Sequence, residues 1–133
     1  MKPPETAPGS AREWLEHARS DIALARLGIG NQNILASQIC FHAQQAAEKA
    51  LKAVLRFHQI EFPLTHDLDV LLELLEQSRI KLPSDVQKSG ELTPYAVEAR
   101  YPGGTNPSEN DIHFSVNLAQ CVIDWAACCI QYR

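Results

Sequence analysis

The sequence predicts an all-α fold: an antiparallel up-and-down helical bundle of four main helices plus a split short helix. Three observations carry that reading. The stretch from Gln38 to Leu55 has no Gly or Pro and is rich in Ala, Leu, Lys, Glu and Gln, the strong helix formers. Four long segments repeat apolar residues at helical spacing, and no segment alternates with the period of two that marks a half-buried strand. The connections between the segments are short, which favours antiparallel neighbours.

A chain of 133 residues with 45% hydrophobic content suits one domain with a real core. Residues 1–9 hold three prolines and a glycine and are expected to form a flexible tail, leaving 10–133 as a single helical domain. Ser10-Ala-Arg-Glu13 reads as a capping box at the start of the first helix. That helix runs to about Leu27, with Trp14, Leu15, Ala18, Ile22 and Ala25 as its apolar stripe, and Gly28 and Gly30 stop it. Asn31–Asn33 makes a polar turn.

The second helix, from Gln38 to about His58, is the central rod. Its apolar side is mostly alanine, so neighbouring axes can lie close. Ala43, Ala46, Ala47 and Ala50 are expected to face other helices, and Gln44, at the flank of that side, needs a hydrogen-bond partner if buried. Thr65 is expected to cap a third helix carrying Leu68, Leu71, Leu72 and Leu75. Ser84-Asp-Val-Gln87 reads as a capping box for a short helix that Gly90 interrupts. Thr93-Pro94 restarts it with Pro at the first helical position, to about Arg100. Tyr101–Pro107 is a loop, and Ser108-Glu-Asn-Asp111 caps the last helix, whose stripe is Val116, Ala119, Ile123, Ala126 and Ile130.

The formal net charge of −4 argues against the global basic character of nonspecific nucleic-acid binders. No apolar run is long enough to span a bilayer, and the N-terminus lacks the apolar core of a signal peptide, so the expected location is cytoplasmic. Cys40, Cys121, Cys128 and Cys129 lack the paired spacing of a zinc site. They are expected to be reduced thiols packed in the core, and neither a metal nor a cofactor is expected.

Three groups of residues are candidates for chemistry. His42, Gln45, Lys49 and Lys52 share the polar side of the second helix. They could meet phosphates or form a solvated or dimer-facing surface, with Glu48–Lys52 as an i,i+4 pair. His66 and Asp67, beside Thr65, could serve acid–base work at a helix start, although Thr-X-Asp is first of all a capping sequence. Arg100 and Tyr101 lead from a helix into a Gly-rich loop. There a guanidinium is well placed to bind phosphate bidentately, and Gly103 and Gly104 let backbone amides approach an anion. The alternative for Arg100 is an ion pair with a nearby carboxylate.

The string CFHAQQAAEKALKA resembles the signature helix of HEPN domains, small prokaryotic helical bundles often encoded beside a minimal nucleotidyltransferase. Trp14 followed by SDIALA, THDL at Thr65–Leu68 and ARYPG at Ala99–Gly103 fit the same pattern, in the family's order. The resemblance implies a homodimer, a nucleotidyltransferase partner and a nucleotide or RNA ligand. Nuclease members carry an arginine and a histidine with four to six residues between them. After Arg100 the corresponding positions are Thr105, Asn106 and Pro107, and none can transfer a proton at neutral pH. The sequence therefore points to a nucleotide-binding or partner module without RNase activity. One alternative is an RNase toxin of a toxin–antitoxin pair, using an atypical histidine such as His66 or His113. The other is a purely structural interaction domain.

Overall fold

Ser10 and Glu13 start the first helix, α1 (Ala11–Gly28), by the expected reciprocal capping. In this computed structural model the described residues are 9–98, 102–103 and 106–131. α2 (Ala36–Phe57) begins two residues before the sequence reading placed it. At about 1.5 Å per residue its 22 residues span about 33 Å. It packs against α1 on one side and the last helix on the other. The pairing with α1 is antiparallel: Gly28 lies against Ile39, Asp21 meets His42 and Lys49, and Trp14 sits beside Lys52.

Ala43, Ala46, Ala47 and Ala50 are all completely buried, as the alanine-rich pattern requires. Gly28 ends α1 as expected and plays a second part as well. It is the last residue of α1, and a Cβ there would lie 2.8 Å from Ile39 Cγ1 and 3.0 Å from Ile34 Cγ2. Its value is close approach of the two helices, and Gly30, at φ 80°, makes the turn.

Two helices end without glycine. Gln59 and Arg79 take left-handed φ values of 58° and 64° just past α2 and past α3 (Leu68–Gln77). The following amides, of Ile60 and Ile80, reach back to the carbonyls of Leu55 and Leu75. This is the Schellman arrangement, and each isoleucine also packs on the core, as that motif favours.

Several expected caps are corrected. Asp67, not Thr65, caps α3 by accepting from the Asp69 amide, while the Thr65 hydroxyl accepts from the Asp67 amide. The Leu68 amide finds a further partner in the Thr93 hydroxyl at 3.0 Å. Ser84 is already inside α4 (Ser84–Gln87), which starts after Pro83 with no side-chain cap; Gln87 instead donates to the Leu82 carbonyl. A 3₁₀ turn follows over Lys88–Leu92. Its Gly90 is pressed against the Asp69 carboxylate, where a Cβ would collide. α5 (Tyr95–Glu98) starts one residue after Pro94, and the expected extension to Arg100 lies outside the described residues. α6 (Glu109–Gln131) opens on the expected reciprocal pair of Ser108 and Asp111. Among the described residues every regular element is helical, and no helix is long and apolar enough to cross a membrane.

The cysteines divide differently from the expectation of four core thiols. Cys40 is buried, Cys129 is half-buried, and Cys121 and Cys128 are exposed. On α6 the buried arc is centred on Val116, Ala119, Val122, Ile123 and Ala126, and positions 121 and 128 turn away from it. Burial, and then the neighbouring Cys128, raise the pKa of the Cys129 thiol.

Two outcomes follow from this packing. Ala47→Leu should cost about 1–3 kcal/mol by overpacking the core around α2, measured by urea denaturation; unchanged stability would contradict a close-packed alanine face. A raised pKa leaves less thiolate, and thiolate is the reactive form. In dilute native protein at pH 8, maleimide labelling read by mass spectrometry should therefore mark Cys121 and Cys128 first and Cys129 later. Cys40 should be labelled only on unfolding.

Candidate functional site

α2 carries a ridge of polar residues four apart. Gln44, Glu48 and Lys52 are all buried, and Glu48 and Lys52 are only 2% and 6% exposed. A carboxylate and an ammonium are almost never buried unless paired. Here they are paired: Lys52 Nζ lies 2.9 Å from Glu48 Oε2. The other oxygen, Oε1, lies 2.9 Å from His66 Nδ1 and accepts from Gln44 Nε2 at 3.2 Å and, more weakly, from Gln45 Nε2 at 3.4 Å. Gln44 Nε2 is also 3.0 Å from the His66 carbonyl, and Gln45 Nε2 donates to Gln44 Oε1 at 2.7 Å. The need of buried Gln44 for partners is met in full.

Lys52 completes its surroundings with rings. Its ammonium lies 5.4 Å from the Trp14 ring centroid and 5.6 Å from that of Phe62, and the two rings meet edge to face at 6.0 Å. Both contacts are within cation–π range. Arg56, one turn on, covers the Phe62 ring at 5.7 Å.

A second carboxylate repeats the arrangement one turn nearer the α2 N-terminus. Buried Asp21 of α1 receives Lys49 Nζ at 2.6 Å on one oxygen and faces His42 Nδ1 at 3.1 Å with the other. Two acids thus each hold one lysine and one histidine. An ionised carboxylate can only accept, so each Nδ1 carries the hydrogen. In the neutral ring Nε2 is then left as the acceptor.

Of the sequence candidates, His42, Gln45, Lys49, Lys52 and His66 come together in this seam between α1, α2 and the 62–67 connection. The expectation of a solvated polar face fails for Lys52 and only partly holds for Lys49, because carboxylates from inside the bundle draw both inward. The expected Glu48–Lys52 pair forms, but in the interior rather than at the surface. Asp67 stands apart as the exposed cap of α3, and His66 pairs with Glu48 rather than with its sequence neighbour. Arg100, Tyr101 and Gly104 lie outside the described residues.

The sequence reading missed Asp21 as a seam residue, and the signal was present. Asp21 follows Ala18 by three and precedes Ala25 by four, which places it on the buried stripe. Elsewhere, a shallow cleft of about 280 Å³ is lined mainly by Gly28, Ile29, Ile34, Ile39, Ile112 and His113, and none of the seam residues borders it. Among the described residues no group of His, Cys, Asp and Glu has the makings of a metal site.

The signature helix, the histidine-bearing connection and the tryptophan of α1 thus meet at one seam. The family model described as HEPN domain matches residues 11–129. The chain belongs to the HEPN family. Among solved structures, this HEPN domain is similar to an archaeal HEPN homologue at 26% identity and a TM-score of 0.69, covering 90% of this chain and 97% of that one. It is also similar to the protein TT1696 from Thermus thermophilus, at 32% identity and a TM-score of 0.56, covering 91% and 93% of the two chains. No curated protein matches the sequence.

Removing Glu48 would strand a buried ammonium. Glu48→Ala should cost about 3 kcal/mol. His66→Ala should cost about 1 kcal/mol, because Glu48 then keeps Lys52 and Gln44. Denaturation of both variants checks the order; a Glu48→Ala penalty below that of His66→Ala would contradict the charge accounting.

Proposed function

We propose that this HEPN domain is a nucleotide-binding or partner module that acts with a nucleotidyltransferase, as a homodimer and without RNase activity. The observation that carries this reading is the state of the seam's cations. Lys49 and Lys52 are engaged by Asp21 and Glu48. The most basic stripe of the sequence therefore offers no free row of positive charge of the kind that holds an RNA backbone. The absence of a histidine at positions 105–107, where four to six residues would separate it from Arg100, supports the same reading. Arg100, with Tyr101 and the Gly103–Gly104 loop, is the proposed contact for a phosphate group. The nucleotidyltransferase partner is suggested by the family alone.

One observation favours a second reading, an RNase toxin. His66 is half exposed at its side chain and is oriented by a buried carboxylate, which is how a general base is commonly held.

A pair of assays on purified protein separates the two. In a thermal-shift screen with nucleotides, a stabilising nucleotide should lose its effect in Arg100→Ala, and RNA should survive incubation with the wild type. Binding that persists in Arg100→Ala would leave that arginine a structural residue. RNA cleavage that is lost in His66→Ala would establish the toxin.

A further inference from the structure

The cleft at the α1–α2 turn is a cavity that the buried seam does not use. One wall is the chain from Gly28 to Ile39, and the other is the first turns of α6. Ile29, Ile34, Ile39 and Ile112 make its interior apolar. Ile39 is buried, but Ile34 is 37% exposed, so bare aliphatic surface meets solvent there. Gly30 borders the opening with backbone alone, and a Cβ on it would meet nothing within 4 Å. A cavity of about 150 Å³ with aliphatic walls holds a benzene ring. At about 280 Å³ this one has room for a single ring and a short arm.

The charge at its rim has one sign. Glu109 and His113 are four apart on α6, so they share a face, and both line the cleft. Glu109 is exposed and takes part in no ion pair among the described residues. The other acid of this turn, Asp111, is occupied by the Ser108 amide. Among the described residues no lysine or arginine lines the cleft, and none occurs from Tyr101 to Gln131. Ligand sites typically combine apolar walls with a few polar groups that fix orientation. Here the walls are isoleucine, and the orienting group is a carboxylate without a cation.

We propose that this cleft binds a small organic cation, an arylalkylamine with one ring. The ring lies against the isoleucines, and the protonated amine meets Glu109. The neutral His113 ring has a nitrogen that can accept a second hydrogen bond from the same ammonium. Charge complementarity selects this occupant. A phosphate would bring negative charge to Glu109 and find no cation among the lining residues. A neutral apolar molecule would leave the carboxylate unused. A bare ammonium without a ring would leave the isoleucines wet. The ligand is distinct from the nucleotide proposed above, and it binds whether or not that nucleotide does.

The test is an NMR titration of the full chain with 2-phenylethylamine at constant pH and ionic strength. The amides of Gly28, Gly30, Ile39 and Ile112 should shift together and saturate with a Kd on the order of 1 mM, as for a ligand of so few atoms. In Glu109→Gln, an exposed change that should leave circular dichroism unaltered, the Kd should rise about five-fold, the scale of a partly exposed ion pair. The neutral 2-phenylethanol should be weaker on wild type by a similar factor, and methylamine should produce no shift. Ala36→Leu, which narrows the cleft from the start of α2, should weaken amine and alcohol alike. Shifts that do not appear by about 20 mM, or that fall elsewhere on the bundle, overturn the site. Equal binding by Glu109→Gln, or by the alcohol, overturns recognition of a cation. Adenosine monophosphate should not displace the amine. Displacement would make the cleft part of the nucleotide site and overturn the separate ligand, whereas nucleotide binding that fails altogether leaves the amine result standing.

Discussion

A carboxylate with 2% exposure is the constraint around which this bundle is arranged. An ionised Glu48 isolated in an apolar interior would be prohibitively costly. It persists because Lys52, His66 and Gln44 converge on it. Those partners come from two places, the same helix and the connection to α3. Satisfying one charge therefore fixes where that connection crosses α2. It also places Lys52 against Trp14 and Phe62, which ties α1 to the same point. Asp21 repeats the device with Lys49 and His42, so α1 and α2 are matched by charge as well as by alanine packing.

Much of the fold is legible in the sequence because helical periodicity and capping are local properties. The Ser10–Glu13 and Ser108–Asp111 boxes form as spelled, and the alanines of α2 are buried as their spacing requires. The misreadings arise where a long-range contact overrides a local rule. Thr65 is a good cap in isolation, but Asp67 takes the position, and Thr93, distant in sequence, supplies another acceptor. Gly28 ends its helix as it reads, but the contact that its lack of a side chain allows with Ile39 across the interface is not visible in the local pattern. Gln59 and Arg79 end helices in a conformation usually left to glycine, and nothing in their side chains announces it.

The candidate site was half visible. The stripe of His42, Gln45, Lys49 and Lys52 is a true spatial group, and His66 joins it. Composition could not show which way the charges point. A lysine on a polar face is assumed to reach for water, and that assumption fails where an acid lies on the buried side of its own helix, as for Lys52, or of the neighbouring one, as for Lys49. Asp21 and Glu48 each occupy a position that the three-and-four spacing assigns to the interior. A charged residue at such a position signals a buried partner of opposite sign, and it changes the apparent basic surface of the helix beside it.

The hold of Glu48 on the His66 segment also bears on how the native chain breathes. Connections between helices usually open first, by small fluctuations that expose a few amides. Here the start of α3 cannot lift away without leaving a buried acid short of its imidazole and the Gln44 amide short of the His66 carbonyl. Amides at the start of α3 should therefore exchange with solvent together with the interior of α2, as one cooperative unit, and more slowly than those at Gly30–Asn33 across the α1–α2 turn. Two segments far apart in sequence thus share one opening event, set by electrostatics rather than by the amount of apolar surface between them.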